Sequence, residues 1–388
     1  MTAVSQPRGA QDDDRGDVSP LIAYALRGLR SCWMPELLRW SYIYHLDGRS
    51  KPNESVAERD AFYTLNVLLG LSRVPRAKNA GGYDLAAIFE RNALLLTREH
   101  VPKYAYGMAL WAGAELGLDV PKATMASLMA FLDERRHWKA FRAQDLGMIL
   151  IGCVEQARRG DARLGTAAHE LFALLDRRYA CPSGLFFEEA GVRRRFSSFA
   201  TNTYLTLACY VYGEWSGDAR ALALAKASTR KLIACQGPHG EWPWFFYTPS
   251  GRVVDFYEVY AVHQHGMAPA FLAFGERHGI AGATDALVKG FTWIFGQNQM
   301  HRSMLWPHEG LICRSLVRKG ELGGRKKSAV RAVVNGLVGR SGELADPATL
   351  ELRLECRSYE LGWILWSFGR RTDLPELHHH PQLTQHAG

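Results

Sequence analysis

The sequence repeats one pattern at two places, IACQGPHGEW at residues 233–242 and YACPSGLFF at residues 179–187. In each copy an apolar helical segment ends, a glycine turn follows, and an aromatic, strand-like stretch begins. A short β-ribbon is predicted for Trp244 to Tyr257, with its turn at residues 248–251. The repetition indicates a chain built from similar units that are joined by long loops.

Apolar residues recur at helical spacing along almost the whole chain, with Gly, Pro and Asn interrupting them about every 15 to 25 residues. Helices joined by tight turns alternate with helices followed by long loops, and long loops come after Arg178, Cys235 and Gly296. This alternation predicts about five helical hairpins between residues 58 and 296, and the last helix can pair with the N-terminal helices as a sixth. The predicted helices, about thirteen in number, are 20–31, 36–46, 58–71, 83–98, 104–117, 121–133, 143–158, 164–179, 200–213, 219–235, 259–275, 281–296 and 355–369.

Some of the predicted helices are apolar nearly all round, as in the stretches Tyr104 to Gly117 and Thr203 to Tyr212. A helix of this kind must be buried on several sides, and a ring of inner helices wrapped by outer helices achieves that. We therefore expect an all-α toroid with short β-ribbons in its long loops. The expected organisation is a disordered leader at 1–18, one toroid domain at 19–372 and a polar tail at 373–388.

Composition limits the functional classes. Of the 388 residues, 47% are hydrophobic and 11% aromatic, but no apolar run reaches the roughly 18 residues of a membrane span. The start of the chain lacks the pattern of a secretory signal, and the seven cysteines include no CxxC pair. These features predict a cytoplasmic protein without a membrane span, a structural zinc site or disulfides.

The net charge of +8 is partly carried by two basic runs, Arg193 to Arg195 and Arg325 to Lys327. Such runs steer anionic ligands toward a surface, although solvated loops contain them too. No nucleic-acid-binding motif accompanies them, so no nucleic acid is expected as a partner.

The segment from Gln236 to Trp242 has the form QxxxGxW, which resembles the motif of prenyltransferase and terpenoid-cyclase toroids. The hairpin rhythm of the whole chain resembles the six-hairpin superfamily of (α/α)6 toroids, which contains glycoside hydrolases and polysaccharide lyases. This resemblance implies an (α/α)6 toroid with its ligand site at the mouth formed by the long loops.

The densest group of polar side chains lies in DFYEVYAVHQHGM at residues 255–267. A helix starting near Glu258 would place Glu258 and His265 on one face. The same residues would have structural roles if Glu258 only stabilised the helix start and the His and Tyr side chains were core groups. As a catalytic set, the segment offers carboxylates for acid/base chemistry at Asp255 and Glu258, and proton-transfer or substrate-orienting groups at Tyr260, His263 and His265.

Glycoside hydrolysis requires two carboxyl groups that flank one bond, separated by about 5 Å or by roughly 6.5 to 9.5 Å. Glu188, in the parallel long loop, is the candidate partner carboxylate, unless it simply lies in an exposed loop. Trp242 would either stack on a sugar or fill the space between hairpins, as in the cyclases. The candidate substrate-binding residues, which combine apolar faces with hydrogen-bonding groups, are Trp242, Trp244, Tyr257, Gln264 and Trp306.

These features favour a carbohydrate-active enzyme that acts on an oligo- or polysaccharide by glycoside hydrolysis or by a lyase or epimerase reaction, and the basic runs would suit an acidic substrate. In the lyase or epimerase version, Tyr260 and His265 would act around the carbon next to a carboxylate. A terpenoid or prenyl-chain cyclase is the alternative, although the folded region has no DxDD or DDxxD segment. A non-catalytic toroid that binds a glycan or a protein is the third possibility. No cofactor or metal is expected, because phosphate-binding and nucleotide-binding fingerprints are absent and His263 and His265 would point apart on a helix.

Overall fold

The computed structural model describes residues 18–75, 82–99, 101–189, 192–324 and 326–384. The predicted leader lies outside these residues except for Val18. Across the described residues, six helices form an inner ring in which each helix contacts the next and the last contacts the first. The inner helices are α2 (Ala57–Leu71), α4 (Tyr104–Leu116), α6 (Ala143–Arg158), α8 (Phe199–Ser216), α10 (Ala268–Arg277) and α13 (Ser358–Phe368). The outer helices are α1 (Pro20–Cys32), α3 (Leu85–Leu94), α5 (Lys122–Asp133), α7 (Ala162–Arg178), α9 (Ala219–Ala234) and α11 (Ala283–Thr292).

The short turns of the hairpins lie between an inner helix and the outer helix that follows it. Gly117 and Gly217 end α4 and α8 with φ angles of 71° and 73°, a left-handed conformation that glycine adopts without steric cost. The side chain of Asp218 then accepts hydrogen bonds from the first N–H groups of α9, which fixes the start of the next helix. The long loops all lie at the opposite end of the ring. The prediction of an (α/α)6 toroid is therefore confirmed.

The inner helices approach one another closely at glycine residues. A Cβ atom on Gly107 of α4 would lie 2.3 Å from the carbonyl carbon of Met148 in α6. Large aromatic side chains fill the centre of the ring between these contacts. The indole of Trp363 in α13 packs against Trp111 of α4, with ring centroids 5.9 Å apart, and against Tyr204 of α8, at 6.2 Å. Trp111 and Trp363 are each 1% exposed, so the ring is filled at this level.

Replacing Gly107 with alanine is expected to destabilise the fold by about 1–2 kcal/mol, because the added methyl group would force the backbones of α4 and α6 apart. Gly323 provides a matched control, since a Cβ atom there meets nothing within 4 Å. Urea unfolding of Gly107→Ala and Gly323→Ala measures the difference. Equal unfolding midpoints for the two variants would contradict the proposed backbone contact.

The long loops carry short antiparallel strands. The predicted ribbon is confirmed as β6 (Phe245–Tyr247) and β7 (Arg252–Asp255), and β5 (Phe196–Ser198) adds a third strand beside β6. The strands pair as follows: β1 (Trp33–Met34) with β2 (Arg39–Trp40); β3 (Ile43–His45) between β4 (Asn53–Glu54) and β13 (Glu355–Cys356); β6 (Phe245–Tyr247) between β5 (Phe196–Ser198) and β7 (Arg252–Asp255); β11 (Ser315–Arg318) between β8 (Val259–Tyr260) and β12 (Leu350–Arg353); and β9 (Leu305–Trp306) with β10 (Leu311–Ile312).

Several local predictions are wrong. Residues 36–46 form the end of a 3₁₀ turn and two short strands instead of a helix, because their backbone pairs with neighbouring strands. The helix predicted from residue 259 begins with strand β8 and a π-helical turn at His263–Met267. An additional helix, α12 (Lys326–Val338), lies in the loop after α11.

The end of the described chain also differs from the predicted polar tail. It forms a short helix, α14 (Pro375–His378), followed by a 3₁₀ turn. Leu377 and Leu383 are buried, and His378 accepts or donates a hydrogen bond at 2.7 Å to the hydroxyl of Ser19. The two leucines give this segment apolar surface to bury, so it packs against the domain.

Candidate functional site

A cavity of about 400 Å³ lies at the mouth of the toroid, where the inner helices begin. Every inner helix or the loop directly before it contributes to its wall, so residues far apart in the sequence meet there. The aromatic lining residues are Phe62, Tyr63, Tyr104, Tyr204, Trp244, Phe245, Tyr260 and Tyr359. The polar lining residues are Arg142, Gln144, Glu188, Ser198, His263 and Arg314.

Burial raises the pKa of several tyrosines that line the cavity. Burial, together with the nearby charge of Asp145, raises the pKa of Tyr104 to about 12. Burial likewise raises the pKa of Tyr63 and of Tyr359, whose rings lie 4.5 Å apart. Neutral phenols can donate hydrogen bonds, so the wall combines apolar ring faces with donors for hydroxyl or leaving-group oxygens.

His263 lies in the cavity wall because of the π-helical turn that precedes α10. The N–H of Ala268 bonds the carbonyl of His263, while Pro269 has no N–H with which to continue an ordinary helix at this point. The imidazole packs between the rings of Phe199, at 4.7 Å, and Tyr260, at 5.1 Å. With 5% of its surface exposed, His263 is the imidazole that lines this cavity.

Glu188 enters the cavity from the loop between α7 and α8. Its Oε2 atom accepts hydrogen bonds from the N–H of Ser198, at 2.9 Å, and from the hydroxyl groups of Ser198 and Thr201. One carboxylate oxygen therefore caps the start of α8. No hydrogen bond from a described residue reaches the other oxygen, Oε1, which leaves that atom available to a ligand.

Two arginines line the cavity. Arg314 contacts Glu355 at 3.2 Å and Glu360 at 3.3 Å, and its guanidinium lies 5.0 Å from the centre of the Tyr260 ring. Burial lowers the pKa of Arg314, but the surrounding tyrosines and Glu360 outweigh burial and raise its pKa overall. Arg142 is more open, with 61% of its side chain exposed, and approaches Asp145 at 3.6 Å.

Behind the wall, His265 faces the core instead of the cavity. Its imidazole is fully buried, and Nε2 lies 3.8 Å from Oε2 of Glu360. The two histidines thus point in different directions, as their spacing of two residues requires. His265 reaches the site only indirectly, since Glu360 also holds Arg314.

Asp255 and Glu258 do not line the cavity, and the structure gives both of them other partners. Asp255 is fully buried and accepts hydrogen bonds from Arg318 and from the N–H of Tyr257. Glu258 precedes strand β8, so the predicted helical face shared with His265 does not form. The Oε1 atom of Glu258 accepts from Ser315 and from Nε of Arg353, at 2.7 Å, whereas Oε2 accepts from the hydroxyl of Tyr260, at 2.9 Å.

Among the predicted binding residues, only Trp244 lines the cavity; there it stacks on Phe245. Trp242 is fully buried against Phe199 and Phe271, as the space-filling alternative predicts. Gln264 is also buried and bonds the backbone of Trp242 and Tyr260. The hydroxyl of Tyr257 accepts from Ala345, and Trp306 lies in β9 beside Tyr24.

Most residues of the cavity wall could not be identified from the sequence pattern. The missed side chains lie near the starts of inner helices or in the last long loop. An available signal is the position of tyrosines in the first turn of an apolar helix, which marks Tyr104 and Tyr359. The aromatic and polar lining residues that the sequence pattern does not reveal include Phe62, Tyr63, Tyr104, Arg142, Gln144, Ser198, Tyr204, Arg314 and Tyr359.

Neither a protein-family model nor a curated protein sequence matches the chain. The structure, however, is similar to solved structures of carbohydrate-active enzymes. It superposes on cellobiose 2-epimerase from Bacillus thermoamylovorans with a TM-score of 0.63 and 11% sequence identity, covering 91% of this chain and 97% of the epimerase.

Two further structures represent other reactions. An unsaturated glucuronyl hydrolase from a Bacillus species, described as responsible for glycosaminoglycan degradation, gives a TM-score of 0.54 at 12% identity, with 92% of this chain and 95% of the hydrolase covered. The structure of a polysaccharide lyase gives a TM-score of 0.53 at 12% sequence identity, with 90% of this chain and 96% of the lyase covered. The similarity extends over nearly the full length of each protein at very low identity, so what it establishes is the architecture: the chain has the (α/α)6 toroid fold.

Proposed function

We propose that the chain is a carbohydrate-active enzyme that acts on an oligo- or polysaccharide at the mouth of the toroid. The observation that carries this proposal is the lining of the cavity, where eight aromatic side chains surround an imidazole, a carboxylate and two guanidinium groups. Sugars have apolar faces that stack on aromatic rings and hydroxyl groups that need polar partners. The structural neighbours named as epimerase, hydrolase and lyase support the same substrate class.

The substrate that we propose carries an acidic sugar such as a uronate. Arg142 and Arg314 line the cavity, and Glu188 is the only carboxylate among its described lining residues. A guanidinium group binds a carboxylate through charge-assisted, often paired, hydrogen bonds. The anionic group would therefore lie on the side of the cavity where these arginines are.

The reaction that the geometry favours is removal of the proton from the carbon next to the sugar carboxylate, the first step of a lyase or an epimerase. His263 would accept this proton while an arginine stabilises the charge that develops on the carboxylate. In a lyase the electron pair then expels the glycosidic oxygen, which a neutral tyrosine can protonate. In an epimerase a proton returns to the same carbon from the opposite face.

Glycoside hydrolysis is a second candidate, supported by the carboxylate of Glu188 and by the hydrolase among the structural neighbours. The two-carboxylate mechanism lacks a second carboxylate in the described lining, because Asp255 and Glu258 are held in ion pairs behind the wall. A cyclase of the terpenoid type has less support, since the described lining contains no aspartate. We also propose a cytoplasmic location, which the seven free cysteines support.

Incubation with uronate-containing oligosaccharides in D₂O distinguishes the reactions. An epimerase incorporates deuterium at the carbon next to the carboxylate, a lyase produces an unsaturated uronate, and a hydrolase releases reducing ends without either change. Deuterium or unsaturated product is expected. Reducing ends alone would assign hydrolysis, with Glu188 as the acid or base, and binding without any product would identify a glycan-binding toroid.

Replacing Arg142 with glutamine is expected to raise KM for the acidic substrate about tenfold, because a charge-assisted hydrogen bond is lost. The kcat of Arg142→Gln should change less than its KM. A neutral analogue of the substrate should bind equally well to the parent and to Arg142→Gln. Arg136 provides a matched control, since it is 80% exposed and pairs with Glu134 outside the cavity. A uniform loss for acidic and neutral sugars would contradict the assignment of an anionic substrate.

A further inference from the structure

Helix α12 exposes its large apolar side chains to solvent. The exposed fractions are 65% for Val330, 51% for Val334, 65% for Leu337 and 59% for Val338, and Val333 is 39% exposed. These positions follow the spacing i, i+3, i+4, i+7 and i+8, which puts them on one side of the helix. An ordinary surface helix of a globular protein turns such a stripe toward the core, so this helix is oriented in the opposite sense.

The opposite side of α12 packs against the sheet of β5, β6 and β7 through small residues. Ser328, Ala332 and Gly336 are buried, and a Cβ atom on Gly336 would lie 2.6 Å from the ring of Phe196. Arg252 and Asn335 add hydrogen bonds between helix and sheet, at 3.1 and 3.0 Å. The helix is therefore held in this orientation, and the apolar stripe stays exposed.

Exposed cations lie at both ends of the stripe. Lys326 and Lys327 begin α12, and Arg340 follows its end. Arg331 is excluded from this group because it pairs with Glu321 and Asp255. An apolar stripe bordered by basic side chains is complementary to a lipid surface that combines acyl chains with phosphate groups.

We propose that α12 attaches the protein to the surface of a bilayer that contains anionic lipid. The valine and leucine side chains enter the boundary between headgroups and acyl chains, and the cations at the ends of the stripe contact the lipid phosphates. None of the helices in the described part of the chain has the length and hydropathy that a membrane span needs, so the attachment is peripheral. This proposal does not depend on which reaction the cavity catalyses.

The attachment also orients the site. Phe196, against which α12 packs, is stacked on Phe245 with ring centroids 5.9 Å apart, and Phe245 lines the cavity. A single aromatic residue thus separates the membrane-binding helix from the cavity wall. A protein bound through α12 holds its cavity wall one aromatic residue away from the attached helix; a membrane-anchored glycan as its substrate would rest on the proposed function.

Co-sedimentation of the full chain with lipid vesicles tests the proposal. Binding is expected to vesicles of phosphatidylcholine with phosphatidylglycerol, and binding to phosphatidylcholine alone should be at least about tenfold weaker. The double variant Val334→Asp/Leu337→Asp should lose binding by about tenfold or more, because it places charges in the apolar boundary. The matched control is Leu94→Asp on α3, where the original leucine is 41% exposed; it should bind as the parent does.

A second variant, Lys326→Gln/Lys327→Gln, keeps the apolar stripe and should weaken binding to anionic vesicles about tenfold at low salt. All the substituted residues are exposed, and unchanged melting temperatures verify folding. The proposal is overturned if the parent binds neither kind of vesicle, or if both α12 variants bind as the parent does. It is also overturned if sedimentation velocity shows a dimer that Val334→Asp/Leu337→Asp dissociates while vesicles remain unbound, since a second copy would then cover the stripe.

Discussion

The variant His263→Asn is expected to lower kcat about 10²- to 10⁴-fold, because asparagine retains hydrogen bonding but cannot accept a proton at neutral pH. The imidazole lines the cavity between Phe199 and Tyr260, and the proposed function makes it the base for the substrate. Substrate affinity should change little if the residue acts in the chemical step. Steady-state kinetics together with equilibrium binding of the substrate would separate these two effects.

His278 is a suitable control for this substitution. It follows the last residue of α10, at the end of the helix away from the cavity, pairs with Glu214 at 3.0 Å and has 18% of its side chain exposed. His278→Asn should retain the parental kcat, and both variants should keep the parental circular-dichroism spectrum. If His263→Asn turned over substrate within a few-fold of the parent, His263 would not be the base, and Glu188 would become the main candidate.

The variant Glu258→Gln is expected to lower the free energy of unfolding by about 2–3 kcal/mol. The carboxylate accepts hydrogen bonds on both oxygens, from Ser315 and Arg353 on one and from Tyr260 on the other. A glutamine has only one acceptor oxygen, so its amide nitrogen must face at least one of these donors. Urea unfolding measures the loss, and turnover should fall only a few-fold because Glu258 does not line the cavity.

The stability that the Glu258 carboxylate contributes depends on pH. Burial raises the pKa of Glu258, but Ser315 and the arginines outweigh burial and hold its pKa below the ordinary value of 4.5. The ionised group therefore adds stability above that value, and this contribution disappears as the pH falls through the lower pKa of the folded state. The difference in stability between the parent and Glu258→Gln should be largest above about pH 5 and should shrink as the solution is acidified further.

Glu170 provides the control, since it pairs with Arg135 at the surface, where the two side chains are 34% and 69% exposed. Glu170→Gln should change stability by less than about 1 kcal/mol. A loss of turnover of 10²-fold or more in Glu258→Gln, with unchanged stability, would instead support the catalytic role that its place in the sequence suggests.

The ring could be predicted from the sequence because its signals are local. Glycines such as Gly117 and Gly217 mark tight turns within a few residues, and apolar helices such as α4 are recognisable from their own composition. Helix α12 was missed because its basic start, Lys326-Lys327, resembles a solvated loop and because it turns its apolar side outward. Its packing is decided by Phe196, which lies far earlier in the chain.

The site could be predicted only in the two long loops before α8 and α10, and Glu188 in the first of these loops lines the cavity as expected. Trp244, Tyr260 and His263 line the cavity and all lie near the predicted ribbon. Asp255 and Glu258 belong to the same run, but their arginine partners come from later parts of the chain, so the sequence pattern does not reveal that these carboxylates are already paired. The sequence pattern also does not reveal which end of each inner helix faces the mouth, because this depends on how the helices pack into the closed ring.

The packing of Trp111, Tyr204 and Trp363 at the centre of the ring has a consequence for long substrates. Because these side chains close the passage below the cavity, the cavity has one opening and a polymer cannot thread through the toroid. If the proposed function is correct, the reacting sugar must enter and leave by the same opening. A glycan chain therefore has to offer a terminus or a bent segment, and the remainder of the polymer stays outside throughout the catalytic cycle.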